Sequence, residues 1–219
     1  MTVLAPPRAE RLSLAGPAGA LQALIETPVN SAPAAVHAFA VVCHPHPLHG
    51  GTMDNKVVYT VARAFEQLGA PAIRFNFRGV GNSAGSYDEA RGESADALAV
   101  IAYGRQRWPG AALWLAGFSF GGAVAVRIAG AARPERLVAV APGITLVPVT
   151  DAAPPKCPWL IVQGEQDEVV APAVVQSWAQ SLAPLVQLRM LPAAGHFFHG
   201  RLHELRDAVL AFMQAPANP

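Results

Sequence analysis

The chain has 219 residues, 52% of them hydrophobic and only 14% charged, with a formal net charge of +1. That length holds one large α/β domain or two small ones, and the apolar balance supports a deep core and excludes an intrinsically disordered chain. No long basic or acidic run gives nucleic acid or anionic lipid an electrostatic footing, so neither is expected as a partner.

Arg11–Leu14 and Leu21–Glu26, joined through Gly16-Pro17-Ala18-Gly19, read as an opening antiparallel hairpin. The pattern then predicts a strand over Ala38–Cys43, a helix over Lys56–Leu68 and a strand over Ala72–Phe77. A helix from about Ser94 to Trp108 stops at Pro109-Gly110. Ala112–Ala116 is a fifth strand, and Leu137–Ala141, Trp159–Val162 and Val186–Leu191 supply three more. Helices near Ala173–Leu182 and Leu202–Met213 complete the series.

This alternation predicts an α/β fold: a doubly wound, mostly parallel sheet of about eight strands, with an antiparallel N-terminal hairpin and helices on both faces. Several strands are apolar throughout rather than alternating, which places them mid-sheet with both faces covered. The run Asp151-Ala152-Ala153-Pro154-Pro155-Lys156 reads as a connection rather than an interdomain linker, so residues 1–219 read as a single domain. Met1–Arg11, with Pro6 and Pro7, lacks the apolar core of a secretory signal. Trp108–Val126 is uncharged and nearly long enough to span a bilayer, but Pro109, its glycines and Ser119 suit strand–turn–helix better. A soluble, cytoplasmic protein without membrane association is therefore expected. Cys43 and Cys157 lie in apolar strand-like runs and read as buried thiols rather than a disulfide.

The most informative run is Gly117-Phe118-Ser119-Phe120-Gly121, set between the apolar stretch Ala111–Ala116 and the helix-forming Gly122-Ala123-Val124-Ala125-Val126. A Gly-x-Ser-x-Gly pattern between a buried strand and a helix predicts a nucleophile elbow, with the serine on a strained turn and its hydroxyl above the sheet. In an open parallel sheet, ligand-binding groups gather beyond the carboxyl ends of the strands. The loops there carry His44-Pro45-His46-Pro47-Leu48-His49, Arg78-Gly79-Val80-Gly81-Asn82-Ser83, the elbow, Gly164-Glu165-Gln166-Asp167-Glu168, and Gly195-His196-Phe197-Phe198. Nucleophile, acid and base thus follow in the order Ser, Asp, His, each at the end of a different strand.

A serine hydroxyl needs a base within hydrogen-bond reach, and His196, directly after a strand and a glycine, is the candidate. His199 and His203 are rivals that fall near the start of the last helix. Asp167 follows its strand by a short turn, with Glu165 and Glu168 as alternatives; Asp88, Glu93 and Asp96 read as helix-start and salt-bridge residues. An oxyanion needs two backbone N–H donors, one expected from Phe120 and the other from His46 or Leu48, since Pro45 and Pro47 have none. His44, His46 and His49 invite a metal reading, but their spacing is irregular and no acid lies close in sequence, so neither metal nor cofactor is expected.

The five loop motifs together resemble the α/β-hydrolase superfamily, near its small lidless dienelactone-hydrolase-like and short-chain serine esterase groups. The resemblance runs from about Val36 to the C-terminus. Dienelactone hydrolases proper carry cysteine on the elbow. Ser119 here points instead to a serine carboxylesterase or thioesterase acting on a small-molecule ester or thioester. The family's spacing selects Asp167 as the acid and favours His46 for the second oxyanion donor. Family lids are inserted after the sixth strand, but Pro142–Pro158 is too short and proline-rich to hold one. An open cleft is expected, walled by Leu48, Phe118, Phe120, Val169 and Phe197. A peptidase or amidase on the same fold, and a non-catalytic binding protein, are the competing readings.

Overall fold

Strands that are apolar on both sides need cover on both sides, and the tertiary structure supplies it. The computed structural model describes residues 8–28, 36–149, 155–182, 184 and 186–216. Eight strands form one sheet: β1 (Arg8–Gly16), β2 (Gly19–Thr27), β3 (Ala38–Cys43), β4 (Ala72–Phe75), β5 (Ala112–Phe118), β6 (Arg136–Val140), β7 (Trp159–Gly164) and β8 (Val186–Leu191). Their order is β1-β2-β4-β3-β5-β6-β7-β8. The β1–β2 hairpin adds to the sheet antiparallel to β4, and every later pairing is parallel.

Successive side chains of a strand point to opposite faces. In β3, Phe39, Val41 and Cys43 enter one core with α2 (Arg91–Arg107), α3 (Phe120–Ala132) and α4 (Pro172–Ser181). Ala38, Ala40 and Val42 enter the other with α1 (Lys56–Gln67) and α5 (Leu202–Gln214). The small residues on this second face of β3 let α1 pack closely through Val57, Val61 and Phe65. Asn55 starts α1 by accepting the N–H groups of Val57 and Val58, orphan donors of the first turn.

A buried polar side chain on β4 ties the hairpin to the parallel sheet. Arg74 donates from Nε and Nη2 to Glu26 Oε2 on β2, at 3.0 and 2.7 Å, and from Nη1 to the Met53 carbonyl at 2.6 Å. Beyond it, Asn76 Oδ1 accepts the Met53 N–H while its Nδ2 donates to Gln22 Oε1. Ser83 Oγ donates to the Asn76 carbonyl and accepts the Gln22 N–H. The Arg78-to-Ser83 loop is thereby fastened to the hairpin. Arg78 completes the anchorage with a two-bonded contact to Asp96 on α2, at 3.0 and 2.8 Å.

Element existence and order match the sequence expectations, but some ends do not. The fourth strand stops at Phe75 rather than Phe77, because the Phe77 N–H donates to the His44 ring and leaves the ladder. The α2 helix starts at Arg91, three residues early, after Glu89 and Ala90 turn the chain with positive φ. Strand β5 runs on to Phe118 and β7 to Gly164, past the expected Ala116 and Val162. Cys157 lies just before β7 rather than in a strand; both thiols are free and buried, and burial pushes both above their ordinary pKa, Cys157 to about 11. Among the described residues, no helix is long and apolar enough to cross a membrane.

Because Glu26 is, among the described residues, the only side-chain carboxylate within bonding distance of Arg74 that is buried with it, Glu26→Ala strands a buried guanidinium. Equilibrium denaturant unfolding is expected to show a loss of about 3 kcal/mol.

Candidate active site

The elbow forms where three backbones crowd. A Cβ on Gly117 would lie 2.1 Å from the Gly121 carbonyl oxygen, and one on Gly121 would lie 2.3 Å from that of His44 and 2.5 Å from that of Cys43. Only glycine lets β5, the first turn of α3 and the end of β3 approach this closely. Between them Ser119 is forced to φ 55°, ψ −118°, a strained conformation for a residue with a side chain. The turn is held by Ser119 N–H donating to the Val140 carbonyl at 2.9 Å and by Gly143 N–H donating to the Ser119 carbonyl at 3.0 Å.

So placed, Ser119 Oγ lies 3.0 Å from His196 Nε2, and His196 Nδ1 lies 2.8 Å from Asp167 Oδ2. The three side chains come from the ends of β5, β8 and β7, and all three residues are buried. Asp167 is saturated: Oδ1 accepts the N–H groups of Val169 and Val170 at 2.8 and 2.7 Å, and Oδ2 accepts Gln163 Nε2 at 2.8 Å. Burial by itself would raise its pKa, but the bonds from His196, Val170 and Val169 outweigh it and hold the carboxyl below its ordinary value. A hydroxyl, an imidazole and an ionised carboxylate in series are equipped to move a proton off the hydroxyl.

The rival residues do other things. Glu168 Oε2 accepts the His196 backbone N–H at 3.2 Å and so braces the histidine loop, while Glu165 is exposed. His199 and His203 are both exposed, the latter on α5. Asp96 pairs with Arg78, Asp88 with Arg91, and Glu93 accepts the Asp88 N–H.

After β3, His44 is fully buried; its Nδ1 donates to the Pro45 carbonyl at 2.6 Å and its Nε2 accepts the Phe77 N–H at 3.0 Å. Only the neutral ring serves both partners, and burial pushes its pKa down to about 4. A single 3-10 turn, Pro47–His49, follows. There the Leu48 N–H donates to His46 Nδ1 at 3.2 Å, whereas the N–H groups of His46 and Phe120 have no protein acceptor among the described residues. His46 also stacks on His49 at 4.4 Å and approaches Phe120 and Tyr87 at 5.0 Å each. Among the described residues, no group of three or more His, Cys, Asp or Glu is arranged to hold a metal ion.

The expected apolar wall needs correction. Phe118 and Phe120 have no exposed surface. The Phe118 ring lies against the His196 ring at 4.9 Å, and Phe120 packs among His46, Phe77 and Tyr87. Phe118, the last residue of β5, points into one core and Phe120, the first residue of α3, into the other, which is why neither forms an open wall. Leu48, Val169 and Phe197 are exposed, at 67, 57 and 41%. Leu146, 60% exposed in the turn that bonds Ser119, joins them and was not anticipated. Gln163 was also missed, since a strand ending at Val162 leaves it in a loop. An amide ending an otherwise apolar strand was the available signal.

The chain resembles known proteins throughout. Residues 38–156 match the family described as "Serine aminopeptidase, S33". A lidless α/β serine hydrolase from Xanthomonas campestris, XC6422, is 41% identical, with a TM-score of 0.89 and 100% of both chains covered. An α/β serine hydrolase homologue from Coxiella burnetii is 39% identical, with a TM-score of 0.86, covering 98% of this chain and 100% of that one. An uncharacterized protein of Rickettsia prowazekii is 34% identical over 181 residues, 78% of this chain and 76% of the relative.

Two outcomes follow from the packing. Gly121→Ala is expected to cost at least about 2 kcal/mol in denaturant unfolding, because its new methyl meets backbone that has nowhere to move. His44 carries a depressed pKa, so the unfolded chain takes up the proton more readily. Its stabilisation is complete above pH 6.5, the ordinary histidine value, and is lost as pH falls toward 4. Unfolding free energies of wild type and His44→Asn are expected to converge by up to about 3 kcal/mol over that interval.

Proposed function

The chain belongs to the lidless α/β serine hydrolases, and on that premise we propose that it hydrolyses small carboxylic esters or thioesters through an acyl-enzyme. The observation that carries the proposal is the unbroken hydrogen-bonded series from Ser119 Oγ through His196 to Asp167. Ser119 attacks the carbonyl carbon as His196 Nε2 takes its proton, and Asp167 stabilises the imidazolium through Nδ1. The tetrahedral oxyanion is held by the N–H groups of Phe120, at the start of α3, and His46, with Leu48 set aside because its N–H already serves the His46 ring. His196 returns the proton to the leaving alcohol or thiol, and water then releases the acid by the same route.

Leu48, Leu146, Val169 and Phe197 supply an apolar rim at the site, exposed because no cap covers them. An open rim of this kind suits short acyl groups, which bury their apolar surface without a lid. Amide or peptide hydrolysis is the second reading, supported by the aminopeptidase description of the matching family. Equal substitution of ester and aminoacyl-amide substrates in one assay separates the two.

Ser119→Ala is expected to lower kcat for short acyl esters by at least about a hundredfold. A fluorophosphonate probe is expected to label wild type at Ser119 and leave the variant unlabelled. An unlabelled wild type would favour a binding protein on a hydrolase scaffold.

A further inference from the structure

We propose that Gln163 is a positioning residue of this site, holding the Asp167 carboxylate in the plane and charge state that His196 requires. The proposal rests on the hydrolase reading above and extends it to a residue outside the Ser–His–Asp series.

Gln163 is the penultimate residue of β7, whose other members are Trp159, Leu160, Ile161, Val162 and Gly164. It has no exposed surface. Its Nε2, with two hydrogens, faces three acceptors: Asp167 Oδ2 at 2.8 Å, the Val170 carbonyl at 3.2 Å and the Gly164 carbonyl at 3.4 Å. Turning the amide over would set an oxygen against three oxygens, so its orientation is determined by its neighbours. Its Oε1, however, is buried without a partner among the described residues.

For folding alone this is a poor choice. The stranded oxygen costs stability, offset only by the acceptors that Nε2 satisfies. Such local violations are expected where function, rather than packing, selects the residue. What the amide gains is contact with the same carboxylate oxygen that His196 Nδ1 engages. Oδ1 is already occupied by two backbone N–H groups, so the amide completes the second side of the carboxylate. His196 Nδ1 donates as a neutral or a charged ring, whereas the amide remains an uncharged donor throughout. It therefore lowers the basicity of Oδ2 throughout, and keeps the mobile proton on the imidazole for delivery to the leaving group.

The test compares wild type, Ser119→Ala, Gln163→Met and Gln163→Glu on a short-chain ester from pH 5 to 9, with melting temperatures measured alongside. Gln163→Met removes the unpaired oxygen together with the donor, and is expected to fold with a modestly lowered melting temperature while kcat falls about tenfold and KM stays within twofold. Gln163→Glu is expected to approach wild-type activity at pH 5, where its protonated carboxyl donates to Asp167. Its activity relative to wild type should then fall at least tenfold by pH 9, where two ionised carboxylates face each other. A purely structural amide would not produce that pH-dependent ratio. If Gln163→Met fails to fold, the Gln163→Glu ratio decides, and a flat ratio overturns the proposal. Both variants within twofold of wild type at every pH, with Ser119→Ala inactive, would overturn this proposal alone. A wild type that hydrolyses no ester would remove the hydrolase reading and this proposal together.

Discussion

Everything at the candidate site depends on three backbones meeting with no room for a Cβ between them. The end of β3, the end of β5 and the first turn of α3 touch at Gly117 and Gly121, and Ser119 is held in a strained positive-φ conformation between them. Strain of this sort, of order 1–3 kcal/mol, persists only where surrounding structure over-determines it. Here the surroundings are fully buried strands on both sides, β3 and β6, and a helix whose first residues are buried. The same crowding brings the loop after β3 beside the elbow, so that the His46 and Phe120 rings lie 5.0 Å apart.

Around that contact the fold solves a problem of burying polar groups. Asp167, His196 and His44 all lie largely out of water, and each is satisfied chiefly by backbone or by one another. Asp167 stays charged because four hydrogen bonds replace its hydration. His44 stays neutral because its two partners, a carbonyl and an N–H, ask for a donor and an acceptor on opposite sides of one ring. Two histidines two residues apart thus differ in kind. His44 is a buried brace between the ends of β3 and β4, while the His46 ring accepts the Leu48 N–H and stacks on His49.

The connection between β6 and β7 carries an exposed apolar side chain and a bond to the elbow. Residues 142–149 fold back as turns, with Gly143 bonded to Ser119, and bring Leu146 to the surface. Leu48, Val169 and Phe197, on three other loops, are exposed as well.

Strand and helix order, the sheet's parallel character and the elbow were all legible in the residues, because each rests on local patterning: apolar runs, Pro-Gly stops and a Gly-x-Ser-x-Gly turn. The candidacies of Ser119, His196 and Asp167 came from their places at strand ends, which order along the chain conveys. What no local pattern conveys is which acid, which ring and which N–H meet across long stretches of chain. Glu168 and Asp167 are neighbours in sequence, yet one braces the His196 backbone and the other its ring. Phe118 looked like a wall and proved to be a floor, because the strand runs two residues further than its apolar core suggests. Gln163 looked like loop and proved to be the buried end of β7, bonded to Asp167. Periodicity determined which elements form and in what order. Side-chain partnership was decided only by the packed sheet, since a hydrogen bond depends on ångström-scale distance and direction that spacing along a chain does not contain.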